Sequence, residues 1–203
     1  MFIVARHGNT FEAGTAPRRI GARTDLPLTE SGQGQANALG ELFARKDINF
    51  RRVLSGPLLR TRQTAKAILA RQSSPPELEL NDFLAEVDYG PDENKPEEEV
   101  IARIGAAAIS AWDERAAVPL GWSVEPSQRI AAWRSFFFSE QFSQGPILLV
   151  TSNGAARFAL LADPALAEAA SKLGSLKLPT GGYGIIERGT HGGLTLTAWG
   201  DRP

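Results

Sequence analysis

An α/β fold with a mostly parallel central sheet is predicted by three apolar runs and by the segments that separate them. Phe2-Ile3-Val4-Ala5, Arg52-Val53-Leu54-Ser55 and Ile147-Leu148-Leu149-Val150 are short and largely apolar. That is the pattern of strands covered on both faces, rather than alternately wet and dry. Each is followed by a stretch of helical periodicity, and strand–helix alternation is how parallel strands are connected.

In chain order, each element follows from local chemistry. After Phe2–Ala5 comes a polar, Arg-rich loop from Thr10 to Pro27. Thr29 offers a hydroxyl to the first turn of a helix, whose apolar face is Ala36, Leu39, Leu42 and Phe43. Pro57 suits the opening of a second helix, with Leu58, Leu59, Ala65, Ile68 and Leu69 inside. Ser73–Lys95 reads as irregular. Val100, Ile104, Ala108 and Trp112 mark one helix, Ile130, Trp133 and Phe137 another, and Pro119–Pro126 the loop between them. The Ile147–Val150 strand runs into Thr151-Ser152-Asn153-Gly154 and a helix from Ala155. Tyr183–Glu187 and Leu194–Trp199 close the chain as a strand pair, joined by a turn that holds His191.

Composition narrows the function. The 203 residues suffice for one domain with a substantial core. A formal charge of -1 gives no bulk attraction to nucleic acid or to an anionic membrane. No window approaches the ~20 apolar residues of a membrane span, and the N-terminal apolar stretch is short for a signal peptide and lacks a basic flank. A cytoplasmic protein is expected, with neither nucleic acid nor membrane as partner. The chain has no cysteine and only two histidines, far apart in sequence, so thiolate chemistry is excluded and a zinc site is not expected. No metal and no cofactor are anticipated. Arg outnumbers Lys among the 22 basic residues, which suits bidentate contact with phosphate or carboxylate.

Chemistry that needs an imidazole must use His7 or His191, and His191 reads as a turn residue. Ligands in open α/β sheets bind beyond the carboxyl ends of the strands. Three of those ends are polar here: Arg6-His7-Gly8, Ser55-Gly56-Pro57 leading to Arg60, and Ser152-Asn153-Gly154. An imidazole, two guanidiniums and a helix start suit a phosphoryl group. Arg60 and Arg62 point about 200° apart on a helix, so one of them faces the pocket, and Arg60 is assigned that place.

Val4-Ala5-Arg6-His7-Gly8-Asn9-Thr10 resembles the signature of the histidine phosphatase superfamily, which includes the cofactor-dependent phosphoglycerate mutases. Thr24-Asp25-Leu26-Pro27-Leu28-Thr29-Glu30-Ser31-Gly32, Ser55 through Ala65, and Leu84-Ala85-Glu86-Val87-Asp88-Tyr89-Gly90 are similar to further segments of that family, in order. The resemblance runs from residue 2 to about 160. It implies a three-layer α/β/α, phosphoglycerate mutase-like domain over residues 1–203, with an insertion at about 73–126. It also implies roles. His7 becomes phosphohistidine, Arg6 and Arg60 hold the phosphoryl oxygens, and Glu86 protonates the leaving oxygen and then activates water. Asn9, Thr10, Arg23, Ser152 and Asn153 are the expected substrate- and phosphate-binding residues. Phosphoryl transfer is mostly positioning and neutralisation of equatorial oxygens, which Arg supplies. His7 must be neutral to attack, and Glu86 must hold a proton when the leaving group departs, so its pKa should be raised.

The chain departs from the family pattern at Ser152, where a second histidine is expected, and at Ala13, where many relatives have asparagine. A Ser152 hydroxyl or the Asn153 amide still donates a neutral hydrogen bond, and both residues suit helix capping equally well. Loss of a cationic donor costs roughly 1–2 kcal/mol, a rate about fivefold to thirtyfold lower. The expected function is a metal-independent phosphomonoesterase acting through phospho-His7 on a small phosphorylated metabolite, with reduced activity. The alternatives are a phosphate-ester binding or regulatory protein without turnover, and a phosphoglycerate mutase. The partner is then a small phosphorylated substrate or inorganic phosphate. Specificity is expected from Thr10–Arg23 and Ser73–Pro126, and nothing in the residue order specifies the oligomeric state.

Overall fold

A computed structural model describes residues 1–140, 145–189 and 192–203. Among these, the strands are β1 (Phe2–Arg6), β2 (Arg52–Ser55), β3 (Leu78–Leu80), β4 (Ile147–Thr151), β5 (Tyr183–Arg188) and β6 (Leu194–Asp201). They form one sheet in the order β3-β2-β4-β1-β5-β6. The first four of that order run parallel, and β5 and β6 pair antiparallel. The helices are α1 (Glu30–Arg45), α2 (Leu59–Leu69), α3 (Glu97–Ile104), α4 (Ala106–Arg115), α5 (Pro126–Ser139), α6 (Asn153–Ala156) and α7 (Pro164–Ala170). None among the described residues is long and apolar enough to cross a membrane.

Both faces of the sheet are covered, which explains the continuous apolar runs. Successive side chains of a strand point to opposite faces. Phe2 and Val4 therefore join Leu54, Ile147, Leu149, Trp112, Trp133, Phe137 and Phe158 on one side. Ile3 and Ala5 join Val53, Leu148 and Val150 against Leu39 and Phe43 of α1 and Ala65 and Ile68 of α2 on the other. The result is a three-layer α/β/α architecture.

β1 leads through α1 to β2, yet β4 lies between those two strands. This crossover opens a crevice at the carboxyl ends of β1 and β4, the place where ligands bind in such sheets. The register sets Arg6 opposite Thr151, and the His7 N–H donates to the Thr151 carbonyl at 3.1 Å.

Several elements differ from their sequence-based expectation. Helix α2 begins at Leu59, because Leu58 remains extended and Pro57 precedes it. The single helix expected from Val100 to Trp112 is two, divided at Gly105, whose φ of +84° is reached without steric cost only by glycine. The irregular stretch contains β3, only three residues long and recognisable by its pairing with β2 rather than by any periodicity. After β4 the helix starts at Asn153 and tightens into a 3-10 turn at Arg157–Leu161. Helix α7, unanticipated, is capped by the Asp163 carboxylate, which accepts the Ala165 N–H at 2.9 Å. The turn that holds His191 lies outside the described residues.

Candidate active site

Arg6 and His7 occupy the last position of β1 and the one beyond it. Gly8 follows because the chain passes hard against the start of α1: a Cβ there would stand 2.2 Å from the Gly32 carbonyl oxygen. The Asn9 N–H donates to Gln35 Oε1 at 2.9 Å, and the Asn9 carbonyl accepts the Thr29 N–H at 3.0 Å. Thr29 also caps α1, its hydroxyl accepting the Gly32 N–H at 3.1 Å. The loop that carries His7 is thus clamped to a helix end.

His7 is 4% exposed. Its Nδ1 lies 2.7 Å from the Gly8 carbonyl oxygen. A carbonyl only accepts, so Nδ1 carries the proton and Nε2 of the neutral ring keeps its lone pair. Burial holds the His7 pKa well below 6.5, and the charges of Arg6 and Arg60 push the same way. The ring is in the state a nucleophile needs.

Arg60 has no exposed surface. Its Nη1 donates to the Thr24 carbonyl at 2.7 Å and its Nη2 to the Gly21 carbonyl at 3.2 Å, while Nε has no partner. Arg62, two positions on, is half-buried. Arg6 Nη1 donates to the Leu178 carbonyl at 2.7 Å, and its buried Nε is also unpartnered. Burial lowers the pKa of both guanidiniums, and the negative charge of Glu86 opposes that shift in each. Guanidinium groups desolvated in this way, with an N–H left over on each, favour an incoming anion.

Glu86, 4% exposed, closes the ring. Its Oε1 accepts the Val87 N–H at 2.9 Å and its Oε2 the Gly154 N–H at 3.2 Å. A Cβ at Gly154 would fall 2.3 Å from Glu86 Oε1, so only glycine leaves room for this carboxylate. Beside it, the Tyr89 hydroxyl is 2.9 Å from the same point. Burial, and then the Glu86 charge, raise the Tyr89 pKa. Tyr89 interacts electrostatically with Arg6 and Arg60 as well. It belongs to the site, although its sequence placed it only within the Leu84–Gly90 segment and assigned it no role.

The residues expected to bind substrate divide. Ser152 is wholly buried beside β1, and its hydroxyl has no partner; it occupies the N-cap position of α6 but makes no capping bond. Asn153 uses its side-chain oxygen to accept the Leu178 N–H at 3.0 Å, so it steadies the loop that anchors Arg6. Asn9 and Thr10 are half-buried, directly after His7 and Gly8. Arg23 is exposed and held by Asp88, at 3.1 Å, and by the Gly90 carbonyl. Arg157 is wholly buried, with its guanidinium 3.9 Å over the Trp112 ring and 3.7 Å from Asp113. It staples the 3-10 turn that follows α6 to α4. Among the described residues, no three His, Cys, Asp or Glu side chains converge as a metal site.

A buried imidazole at a strand end thus shares the electrostatics of its site with two guanidiniums, a set of groups suited to an anionic ligand. The family model of the histidine phosphatase superfamily, branch 1, matches residues 2–202, and the chain belongs to that family. It is 34% identical over 96 residues to the uncharacterized phosphatase PhoE of Bacillus subtilis, a match that covers 47% of each chain. It is 36% identical over 67 residues to the 2,3-bisphosphoglycerate-dependent phosphoglycerate mutase of Rhizobium etli, covering 33% of this chain and 31% of that one. The matched stretch thus spans under half the length of each of these curated relatives. A mycobacterial glucosyl-3-phosphoglycerate phosphatase superposes with a TM-score of 0.79 over 100% of this chain and 99% of its own, at 19% identity. An alpha-ribazole phosphatase from Shigella flexneri superposes at 0.73 over 99% and 96%, at 24% identity. At these identities the likeness establishes the fold.

Proposed function

We propose that this protein is a metal-independent phosphomonoesterase that acts through phospho-His7 on a small phosphorylated metabolite. The observation that carries the proposal is the neutral, buried His7, whose Nδ1–H is committed to Gly8, whose Nε2 therefore keeps its lone pair, and on which the charges of Arg6 and Arg60 act. The relatives, phosphatases and a phosphoglycerate mutase by name, agree with this reaction class.

In the first half-reaction, Nε2 attacks phosphorus and the bond to the leaving oxygen breaks. Arg6 and Arg60 neutralise the equatorial oxygens, and the unpartnered Ser152 hydroxyl donates a neutral hydrogen bond to one of them. Glu86 gives its proton to the leaving alkoxide. In the second half, Glu86 takes a proton from water, which attacks phosphohistidine and releases inorganic phosphate. Asn9 and Thr10 line the approach. Arg23 belongs to the substrate-facing rim, where Asp88 holds it until an anionic substrate group competes. Asn153 acts through Leu178 on Arg6. The neutral donor at Ser152 makes the enzyme slow.

That same neutrality favours a second reading, a phosphate-ester binding protein without turnover. Phosphate release from p-nitrophenyl phosphate near pH 6 separates the two. Wild type turns over, His7→Ala does not, and Ser152→His gains about fivefold to thirtyfold. A wild type silent across a panel of phosphate monoesters establishes the binding reading instead.

A further inference from the structure

We propose that Arg129 is a positioning residue for the proton donor, a guanidinium that acts on the reaction only through the main chain of residues 83–86. The inference rests on the reading of Glu86 given above. It assigns a function to a residue outside every motif that the sequence presents.

Arg129 lies in the first turn of α5 and is half-buried. Its Nη1 donates to the Ala85 carbonyl at 2.7 Å and reaches the Phe83 carbonyl at 3.5 Å; its Nη2 reaches the Glu86 carbonyl at 3.4 Å. Three main-chain oxygens from four consecutive residues therefore converge on one guanidinium. Among the described residues, no ion pair to Arg129 forms, although Glu125 precedes it by four positions. A partly buried guanidinium ordinarily takes a carboxylate when one is in reach. Here it faces carbonyls, and burial lowers its pKa while the Glu86 charge opposes the shift.

The segment it holds has little structure of its own. Asp82–Leu84 is one 3-10 turn, and Ala85 is already extended. A single turn leaves its last carbonyls without helical partners. Glu86 is then located by its main chain and by two N–H donors, its own neighbour Val87 and Gly154 across the crevice. A shift of about 1 Å in such a group costs about a hundredfold in rate. The anchoring of the segment to the core is separate. The Phe83 ring packs on Trp133 at 5.0 Å and on Phe136 at 5.2 Å between centroids. Loss of the guanidinium thus displaces Glu86 and leaves the fold in place.

A positioned acid matters only where the leaving group needs a proton. A nitrophenolate departs without one; a simple alkoxide does not. The experiment compares kcat/KM for p-nitrophenyl phosphate and for glycerol 3-phosphate in wild type, Arg129→Met and Arg129→Lys, with inhibition by inorganic phosphate measured on each. Arg129→Met is expected to lose about a hundredfold on the alkyl ester and under about threefold on the aryl ester, with the phosphate inhibition constant unchanged because Arg6 and Arg60 are intact. Arg129→Lys, which keeps one donor for Ala85, recovers part of the loss on the alkyl ester. Equal losses on the two esters, or no loss on either, overturn the positioning role. Should Arg129→Met fail to fold, the alkyl-to-aryl ratio of Arg129→Lys against wild type decides in the same way. A wild type that hydrolyses neither these esters nor any of a panel of phosphate monoesters overturns the phosphatase reading itself, and the role of Arg129 with it.

Discussion

Two details of single residues set what the site can do. His7 is buried beside two positive charges, and its native pKa lies well below 6.5. Below about pH 6.5 the unfolded chain therefore binds a proton that the native ring refuses, and stability falls as the pH drops through that window toward the native pKa. The loss amounts to at most about 1.4 kcal/mol per pH unit. Denaturant titrations at pH 7 and pH 5 should show a smaller acid loss in His7→Asn than in wild type; identical losses would mean that the ring titrates normally. The second detail is Gly154. In Gly154→Ala the new methyl group meets Glu86 Oε1 at 2.3 Å and Val87 Cγ2 at 2.8 Å, which costs roughly 1–3 kcal/mol of stability. The displaced carboxylate should lower kcat/KM on an alkyl phosphate about a hundredfold. Wild-type kinetics in that variant would remove Glu86 from the reaction.

Among the elements, α1 has a double role. Its apolar face fills the core with Leu39 and Phe43, while its capped end holds the His7 loop. The Thr29 hydroxyl satisfies the Gly32 N–H and also lies 3.3 Å from the Asn9 carbonyl. Thr29→Ala should destabilise the protein by about 1 kcal/mol, a fall in Tm of roughly 2–4 °C for a chain of this size. Thr29→Ser, which keeps the hydroxyl, should restore most of it. Calorimetry on the three proteins settles the point, and an unchanged Tm in Thr29→Ala would show that water caps the helix equally well. The cap and the helical face of α1 were both readable, because they depend on residues within one turn of each other. Strand β3 was not, since three residues carry no period and their pairing partner is more than twenty positions away.

Taken as a whole, the molecule spends stability on holding cations together. Arg6 and Arg60 are each destabilised by burial, and the Arg60 charge adds to the cost of Arg6. A bound phosphate relieves that cost in the native state alone. Inorganic phosphate at a hundredfold excess over its Kd should add about 2.7 kcal/mol of stability. Thermal melts in phosphate and in chloride at matched ionic strength test this: the gain should be present in wild type and absent in Arg60→Ala. An equal gain in both proteins would place the anion elsewhere.

From the sequence alone came what depends on neighbours along the chain. The buried strands, the helix faces, the cap at Thr29 and the scarcity that singled out His7 are all local or compositional. Tertiary structure decided what depends on register and burial. It set Ser152 and His7 each one residue past the Arg6–Thr151 pair of β1 and β4, and left the Ser152 hydroxyl without a partner. It brought Tyr89 to the carboxylate, turned Arg157 onto Trp112 and split the Val100–Trp112 helix at Gly105. The physical reason is the same in each case. Desolvation and hydrogen-bond geometry are properties of atoms brought together across many residues, and no local pattern records which distant group will arrive.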